Sequence, residues 1–327
     1  MCSPLVSSLK LTPVWALTAV QFLGIDPTNN LDIHYPAIES FIMLSITPAV
    51  TSSQDSPIVI TDLTISFEST TSSLYSNSTL ETKDWYRIEK DLYLHALAEH
   101  SAWLHVAQAK EEELTSSHLV VTDVRVGEPP SAIDIKDAWE SRPAGLWVRR
   151  SNYTCNIQHV VTGIDVLFGI DAIDPRLHWS LLREPLQLKD ASPEIPIARP
   201  TIRRGWPKPS SEQSILRARE DGSFKIVQIS DTHMVTGVGT CKDAIDADGR
   251  PLPESEADPL TVKFMEAILD VEKPDLVVLT GDQLHHDILD SQTTLFKVVA
   301  PIIERSIPWA VVFGNHDSEG DFALSRE

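Results

Sequence analysis

The hydrophobic pattern divides the sequence into two parts with different periodicity. In the N-terminal part, short apolar runs alternate with polar residues and favour β-branched and aromatic types, a pattern typical of half-buried strands. These runs are Ile58–Phe67, Trp85–Leu94, Ala102–Ala109, Leu119–Val126, Gly145–Arg150 and Val160–Phe168. The pattern predicts a β-rich domain over residues 58–192, preceded by a poorly defined segment, residues 1–57.

One strand pattern recurs three times within this domain. Residues 60–65 (ITDLTI) match residues 121–126 (VTDVRV) and, more loosely, residues 161–166 (VTGIDV). Such self-similarity indicates three related strand units, in which three small sheets share one core. This arrangement resembles a threefold β-prism. The alternative is that the motif recurs by chance, because buried strands favour these residue types.

Prolines mark the boundary between the two parts. Between Pro193 and Pro209, 5 of 17 residues are proline. Proline fixes φ and removes a backbone donor, so the segment predicts either a linker over residues 193–223 or an extended covering strand. A second domain then occupies residues 224–327.

Strands alternate with helices in the C-terminal part. Apolar runs predict strands at Lys225–Ser230, Leu276–Thr280 and Trp309–Phe313. Between them, one helical stripe carries Phe264, Ile268 and Val271, and a second carries Leu295, Val299 and Ile302. This βαβαβ order predicts a parallel sheet, and the whole chain is predicted to be α+β. Asp258 is expected to cap the first helix, and Pro301 to kink the second or end it early.

Polar residues of metal-binding types follow each of the three C-terminal strands. The motifs are D-T-H at Asp231–His233, G-D at Gly281–Asp282 and G-N-H-D at Gly314–Asp317. Because the carboxyl ends of parallel strands meet at one edge of a sheet, these side chains are expected to converge. Carboxylate, imidazole and amide oxygen suit divalent or trivalent metals. A glycine before Asp282 and before Asn315 lets the backbone turn sharply.

In their order and strand-end positions, the three motifs resemble those of the calcineurin-like metallophosphoesterase superfamily. The wider sequence is similar to one fungal group of these phosphatases, associated with cell-cycle and stress signalling. The resemblance implies a phosphoric ester hydrolase in which two divalent or trivalent metal ions, Mn, Fe or Zn, activate water. It also implies the first half of an α/β sandwich for residues 224–327. The implied partner is a phosphorylated substrate, either a protein or a small molecule.

The same resemblance assigns roles to individual residues. Asp231 and His233 would hold the first metal. Asp282 would bridge the two metals, and Asn315 would bind the second. As catalytic residues, His316 would donate a proton to the phosphoryl or leaving oxygen, and Asp317 would hold the His316 ring.

The sequence departs from the family pattern after the third motif. The family takes three further histidines from later G-H and G-H-x-H motifs, whereas the 11 residues after His316 contain none. The second metal would then have only Asp282 and Asn315, so we expect a truncated domain with weak metal binding. His285 and His286 are expected to line the cleft or face solvent. The alternative function is a non-catalytic binding module with a vestigial metal half-site.

Charge and composition narrow the classes of partner. The chain has 47 acidic against 27 basic residues and a formal net charge of −20, which argues against nucleic-acid binding. No charge-free stretch reaches the roughly 18–20 apolar residues that a membrane span needs, so membrane association is not expected. The three cysteines form no C-x-x-C pair, which argues against a zinc ribbon and favours a reducing, cytoplasmic location.

Overall fold

The computed structural model describes residues 56–69, 85–97, 100–128, 139–206, 216–246 and 248–317. These residues fall into two units. The β-rich unit runs to Ile170 and resumes at Arg176, and the C-terminal unit combines Asp171–Pro175 with the described residues from 216 onward. The predicted segment 1–57 lies almost entirely outside the described residues. Within the described ranges, no helix is long and apolar enough to cross a membrane.

Three antiparallel sheets of three strands form the β-rich unit. The first contains β1 (Ile58–Ser69), β2 (Trp85–Asp91) and β3 (His100–Lys110); the second contains β4 (Leu119–Val126), β5 (Trp139–Ser141) and β6 (Leu146–Asn152); the third contains β7 (Val161–Phe168), β8 (Trp179–Leu181) and β9 (Ala198–Arg204). In each sheet the last strand lies in the middle, giving the orders β1-β3-β2, β4-β6-β5 and β7-β9-β8. Two 3-10 turns, Glu111–Glu113 and Ile157–His159, precede β4 and β7.

The three sheets share one hydrophobic core, as the sequence repeat predicts. Buried side chains from all three sheets pack together in it, among them Leu63, Leu104, Val124, Leu146 and Val166. The first strands β1, β4 and β7 contact one another, so the core lies between the three sheets. The prediction of three related strand units around a common core is confirmed.

The repeated motif coincides with a β-bulge in the first strand of each sheet. The register shifts at the threonine of the motif, which is Thr61, Thr122 and Thr162. In the first two sheets, Asp62 and Asp123 accept a hydrogen bond from the next backbone N–H, at 2.7 and 2.9 Å. In the third sheet glycine replaces the aspartate, because a Cβ at Gly163 would lie 3.1 Å from the ring of Trp179. The looser third match in the sequence therefore has a steric cause.

Part of the proline-rich segment, for which a linker was one of two predictions, forms a β-strand. Residues 198–204 form β9, the central strand of the third sheet, so the linker prediction is wrong for these residues and the extended-strand alternative applies. Pro200 pairs with Val166 of β7, and its carbonyl accepts a hydrogen bond from the N–H of Leu182 at 2.8 Å. Proline is tolerated here because its carbonyl still joins the ladder.

The C-terminal unit has the predicted βαβαβ order. Its elements are β10 (Ile226–Ile229), β11 (Thr240–Cys241), β12 (Ser255–Glu256), α1 (Asp258–Glu272), β13 (Leu276–Thr280), α2 (Ser291–Glu304) and β14 (Trp309–Val312). Strands β10, β13 and β14 form a parallel sheet in that order, and β11 pairs with β12 in the long loop after β10. Met265 and Leu269 of α1 and Val299 of α2 pack against the sheet. The mixed α and β architecture is confirmed.

Three details of the helices differ from the predictions. Ala257, not Asp258, is the N-cap residue of α1, because the Asp258 carboxylate bonds instead to the N–H of Val235 and to Lys297. Val271 is 73% exposed, because the buried stripe of α1 runs through Met265 and Leu269. Helix α2 continues past Pro301 to Glu304, since a proline in the last turn removes only one hydrogen bond.

A substitution at Leu146 tests whether the three sheets of the β-rich unit share one core. Its side chain is fully buried among all three sheets. Leu146→Ala is expected to lower the free energy of unfolding by about 2–5 kcal/mol, because it removes buried methyl groups and leaves a cavity. Urea denaturation followed by tryptophan fluorescence measures the change. Leu119→Ala, at a strand position 45% exposed, is the matched control and should change it by less than about 0.5 kcal/mol. Equal effects of the two substitutions would contradict the shared core.

Candidate metal centre

The three sequence motifs lie together at one edge of the parallel sheet. Strands β10, β13 and β14 run in the same direction, so the loops that follow them leave from the same edge. Because β13 is the central strand, its G-D motif lies between the other two. The predicted convergence depends on this strand order.

The loop after β10 is hydrogen-bonded along the loop after β13. The N–H of Asp231 donates to Gly281 O at 3.1 Å, and the N–H of His233 donates to Asp282 O at 3.1 Å. The N–H of Met234 then donates to Gln283 O at 3.0 Å. These bonds continue the parallel pairing beyond the strands, and they hold the D-T-H motif beside the G-D motif.

Three predicted ligands form a compact group in these loops. One ligand atom each of Asp231, His233 and Asp282 lies within 4.8 Å of the others. Two carboxylates and an imidazole match the donor preferences of Mn, Fe and Zn, so the residues present fit a metal ion. Burial lowers the pKa of the His233 imidazole, although Asp282 and Asp231 act in the opposite direction. The neutral imidazole that this favours is the form that binds metals.

All three ligands have left-handed backbone conformations. The φ angles are 56° for Asp231, 44° for His233 and 52° for Asp282. Aspartate and histidine adopt this region more readily than most residues, but it still requires support from surrounding contacts. The loop-to-loop hydrogen bonds provide that support.

The two motif glycines allow the loops after β13 and β14 to approach closely. Gly281 has φ of 96°, and a Cβ there would lie 2.7 Å from the Cα of Gly314. Gly314 does not have a positive φ, but a Cβ there would overlap with the side chain and backbone N of Asp282. The expected sharp turn therefore applies to Gly281, whereas Gly314 is required by close packing.

Asp317 ties these two loops together through the backbone. Its buried carboxylate accepts four N–H hydrogen bonds, from Asp282 at 2.9 Å, Gln283 at 2.8 Å, Leu284 at 2.9 Å and Gly314 at 2.6 Å. The family resemblance implied that Asp317 holds the ring of His316. That role stays a prediction, and the four described bonds of the Asp317 carboxylate fix the loop that carries Asp282.

Asn315 and His316 lie on the turn between Gly314 and Asp317. The backbone N–H of His316 donates to Asp282 Oδ1 at 2.9 Å, and its ring centroid lies 5.4 Å from that of His233. His316 is half-buried at the edge of the group. The Asn315 side chain is exposed on the same turn. The structure thus brings His316 next to the three-residue ligand group.

The histidine pair after Asp282 also lies at this edge. The rings of His285 and His286 are 4.1 Å apart, and the ring of His286 is 5.7 Å from that of His316. His285 is half-buried and His286 is exposed, so both agree with the expectation that they line the cleft or face solvent.

Lys297 of α2 is a functional candidate that the sequence analysis missed. Its side chain is 1% exposed, and its ammonium group donates to the carbonyls of Val235 and Gly237, each at 2.6 Å. It also forms ion pairs with Asp258 at 2.5 Å and Asp171 at 2.8 Å. The feature of the sequence that indicates this residue is a lysine within the apolar run that forms α2. Because Val235 is two residues after His233, Lys297 fixes the loop that carries this ligand.

Comparisons with known proteins identify a family and several named relatives that parts of this chain resemble. Residues 224–326 match the family described as calcineurin-like phosphoesterase. The chain is 42% identical over 163 residues to a protein of Saccharomyces cerevisiae named phosphatase DCR2, covering 49% of this chain and 27% of that protein. It is 40% identical over 106 residues to probable inactive purple acid phosphatase 28 of Arabidopsis thaliana, covering 32% and 26%.

A further relative matches a longer part of the chain. The chain is 28% identical over 200 residues to a Kluyveromyces lactis protein named SIA1, covering 57% of this chain and 32% of that protein. The chain therefore spans between a quarter and a third of the length of these relatives. The similarity concerns parts of those proteins and not their full lengths.

The substitution Asp317→Asn tests whether the Asp317 carboxylate holds the loops after β13 and β14 together. An amide of the same shape places an N–H group against backbone N–H donors, so at least one of the four hydrogen bonds is lost and a buried donor is left unpaired. The free energy of unfolding is expected to fall by about 1–3 kcal/mol, and the affinity for Mn²⁺ by about 10–100-fold. Thermal unfolding and isothermal titration calorimetry measure these changes. The control Asp248→Asn, at an exposed aspartate, should change neither the stability nor the Mn²⁺ affinity. An unchanged Mn²⁺ affinity of Asp317→Asn would contradict the role of Asp317 in holding the loops.

Lys297→Met tests the buried ion cluster. Removing the ammonium leaves Asp258 buried without its cation, so the free energy of unfolding should fall by about 3–5 kcal/mol at pH 7. Burial already raises the pKa of Asp258, and Lys297 opposes this shift. In the variant the carboxyl should therefore take up a proton more easily, and the difference from wild type should shrink as pH falls from 7 towards 5.

Urea denaturation at several pH values measures this dependence. Lys297→Met combined with Asp258→Asn should recover part of the lost stability and should show a weaker dependence on pH. A stability difference that grows as pH falls would contradict the assigned pairing.

Proposed function

We propose that the chain, whose residues 224–326 match the calcineurin-like phosphoesterase family, is part of a metal-dependent phosphatase that hydrolyses phosphomonoesters. The observation that carries the proposal is the group of Asp231, His233 and Asp282, whose ligand atoms lie within 4.8 Å of one another. The substrate is a phosphoprotein or a small phosphomonoester, and the location is the cytoplasm.

The proposed centre contains two metal ions. Asp231 and His233 would hold the first, Asp282 would contact both, and Asn315 would hold the second. When bound, two cations lower the pKa of a water molecule and neutralise charge on the phosphoryl oxygens. The left-handed backbone at Asp231, His233 and Asp282 supports this assignment, because strained conformations concentrate at functional sites.

His316 is the proposed proton donor to the leaving oxygen. Its ring lies 5.4 Å from the ring of His233, close enough to reach a phosphate bound beside the first metal. The hydrogen bond from its backbone N–H to Asp282 fixes its position relative to the metal bridge. Asp317 is a positioning residue in this proposal, because its carboxylate bonds to the backbone of both loops.

A second candidate function is a binding module with a vestigial metal half-site. Relatives named probable inactive purple acid phosphatases favour it. A basic cavity of about 740 Å³ in the β-rich unit, lined by Arg149, Arg150 and Arg204, also favours it. Arg150 pairs with Asp62 and Glu140, whereas Arg149 and Arg204 share the single carboxylate of Asp123, and this shared pair suits an anionic partner.

Hydrolysis of two aryl phosphates tests the phosphatase proposal. The Mn²⁺-loaded chain should hydrolyse p-nitrophenyl phosphate, and Asp282→Asn should abolish Mn²⁺-dependent turnover because it removes the bridge. His316→Ala should lower kcat about 10²–10⁴-fold on phenyl phosphate, whose leaving group needs a proton, and less on p-nitrophenyl phosphate. The measurement is the release of phenol and inorganic phosphate.

Metal content and a control variant complete this experiment. His316→Ala should keep its Mn²⁺, measured by mass spectrometry of the dissolved metal. His100→Ala, at an exposed histidine of the β-rich unit, should leave both rates unchanged. A chain that binds Mn²⁺ but hydrolyses neither ester would overturn the phosphatase proposal in favour of the binding module.

A further inference from the structure

The cavity of about 740 Å³ in the β-rich unit is lined by three arginines, and we call it the arginine cavity. Arg149 and Arg150 of β6 and Arg204 of β9 line it, together with Asp123 and His159. Within the described residues, Asp123 supplies the only carboxylate of this lining. Because the whole chain carries a formal charge of −20, its long-range field does not attract anions. Any affinity of the cavity for an anion therefore comes from the side chains in its wall.

The threefold repeat shows that these arginines are not a general feature of the sheets. In each sheet, the bulge of the first strand lies opposite two consecutive residues of the central strand. The residues at these two equivalent positions are Ala107 and Gln108 in the first sheet, Arg149 and Arg150 in the second, and Arg203 and Arg204 in the third. The arginine cavity is lined by the two sheets that carry arginines at these positions. The first sheet has the same bulge without arginine, so the bulge itself does not require the arginines.

One of the three arginines has a structural role. Arg150 donates two hydrogen bonds to Glu140, each at 2.8 Å, and it lies 3.1 Å from Asp62 of the first sheet. Two carboxylates therefore occupy its guanidinium group. We assign Arg150 to the contact between the first two sheets and not to ligand binding.

The other two arginines share one carboxylate. Arg204 donates a hydrogen bond to Asp123 Oδ1, whereas Arg149 Nη2 lies 3.7 Å from Asp123 Oδ2, which is beyond hydrogen-bonding distance. Arg125 Nε lies 4.0 Å from the same oxygen, so three guanidinium groups surround this carboxylate. The side chains of Arg149 and Arg204 are 34% and 44% exposed, so a ligand can reach both.

The donors of the cavity suit a phosphate group. A guanidinium group is planar and presents N–H donors in a fork that matches two oxygens of a phosphate. A phosphorylated side chain carries a charge of about −1.5 to −2 at pH 7, so it competes with the single charge of Asp123 for both arginines. The ring of Trp139 lies 5.4 Å from the Arg149 guanidinium and limits its orientations.

The size of the cavity favours a phosphate that is attached to a protein segment. A phosphate group alone fills only a small part of 740 Å³, and the wall also contains Ser151 and Gln158, whose side chains can bond to a peptide backbone. A membrane surface fits less well, because lipid headgroups form a plane whereas the arginines line a cavity.

We propose that the arginine cavity binds a phosphate group of a phosphorylated protein segment through Arg149 and Arg204. The phosphate then accepts the N–H donors that surround Asp123. The cavity shares no residue with the three metal motifs, so it is a separate site of phosphate recognition. Selection of phosphoproteins over small phosphomonoesters by this site rests on the proposed function, but the binding itself does not.

Binding of a phosphopeptide to the metal-free chain tests this inference. The probe is a fluorescein-labelled peptide of glycine and alanine residues around one phosphoserine, and a chelator removes metal to prevent hydrolysis. Fluorescence anisotropy should show an affinity at least about 10-fold higher than for the same peptide with serine. Arg149→Gln and Arg204→Gln should each weaken binding about 10–100-fold, because each removes charge-assisted hydrogen bonds.

The matched control is Arg183→Gln, which makes the same change of charge at an arginine 95% exposed in the same unit. It should leave the affinity unchanged. Thermal unfolding checks that each variant is folded. If Arg204→Gln is unstable, Arg149→Gln decides the question, because Arg149 is not hydrogen-bonded to Asp123.

Two further measurements distinguish the source of the phosphate. Inorganic phosphate should compete more weakly than the peptide, because it lacks the flanking backbone. Vesicles of phosphatidylcholine and phosphatidic acid should sediment equal amounts of the wild-type chain and of Arg149→Gln. Inorganic phosphate that competes as strongly as the peptide, or vesicle binding that requires Arg149, would overturn the assignment to a phosphorylated protein.

The remaining outcomes separate this inference from the proposed function. Equal affinity for the two peptides, or unchanged affinity in either folded arginine variant, overturns the inference and leaves the phosphatase proposal intact. A chain that binds the phosphopeptide through these arginines and hydrolyses no phosphate ester with Mn²⁺ supports the inference and overturns the phosphatase proposal.

Discussion

The loops at the carboxyl edge of the parallel sheet depend on the buried carboxylate of Asp317. Four backbone N–H groups from the loops after β13 and β14 converge on its two oxygens. Without such an acceptor, these N–H groups would be buried and unpaired, which is costly. Because these hydrogen bonds hold the two loops together, they also fix the position of the Asp282 carboxylate relative to Asp231 and His233.

A second buried charge complements this one. Asp317 gathers backbone donors, whereas the ammonium of Lys297 gathers backbone acceptors, the carbonyls of Val235 and Gly237. The loop after β10 is thus fixed by a cation, and the loops after β13 and β14 are fixed by an anion. This edge of the sheet is built from irregular backbone, so its polar groups need partners that strands and helices would otherwise provide.

The periodicity of the sequence was sufficient to predict the strands and their convergence. Alternation of strand and helix predicts parallel strands, whose carboxyl ends place Asp231, Asp282 and the G-N-H-D turn at one edge. The order β10-β13-β14 itself is known only from the structure. The repeat of the T-D motif also predicted three sheets around one core. Both predictions rest on short sequence patterns that occur three times along the chain, so three matches by chance are less probable than one.

Features that depend on tertiary contacts were not predictable in the same way. The sequence does not show that Lys297 meets two aspartates from distant segments, or that Asp317 bonds to backbone amides. The buried stripe of α1 was misplaced at Val271 because apolar residues occupy two adjacent rows of that helix. Proline content suggested a linker around Pro200, because composition does not reveal the two strands that pair with β9.

Because Asp231 and Asp282 have a left-handed backbone, the conformation of each loop and the charge of its side chain can change independently at these positions. Asparagine tolerates this conformation about as well as aspartate, so an Asp-to-Asn exchange preserves the course of both loops while it removes a negative ligand. A single-base change can therefore remove a proposed metal ligand and leave the fold unaltered. For this architecture, similarity of fold is a weak guide to metal binding, and the identity of the side chains at positions 231 and 282 is a stronger one.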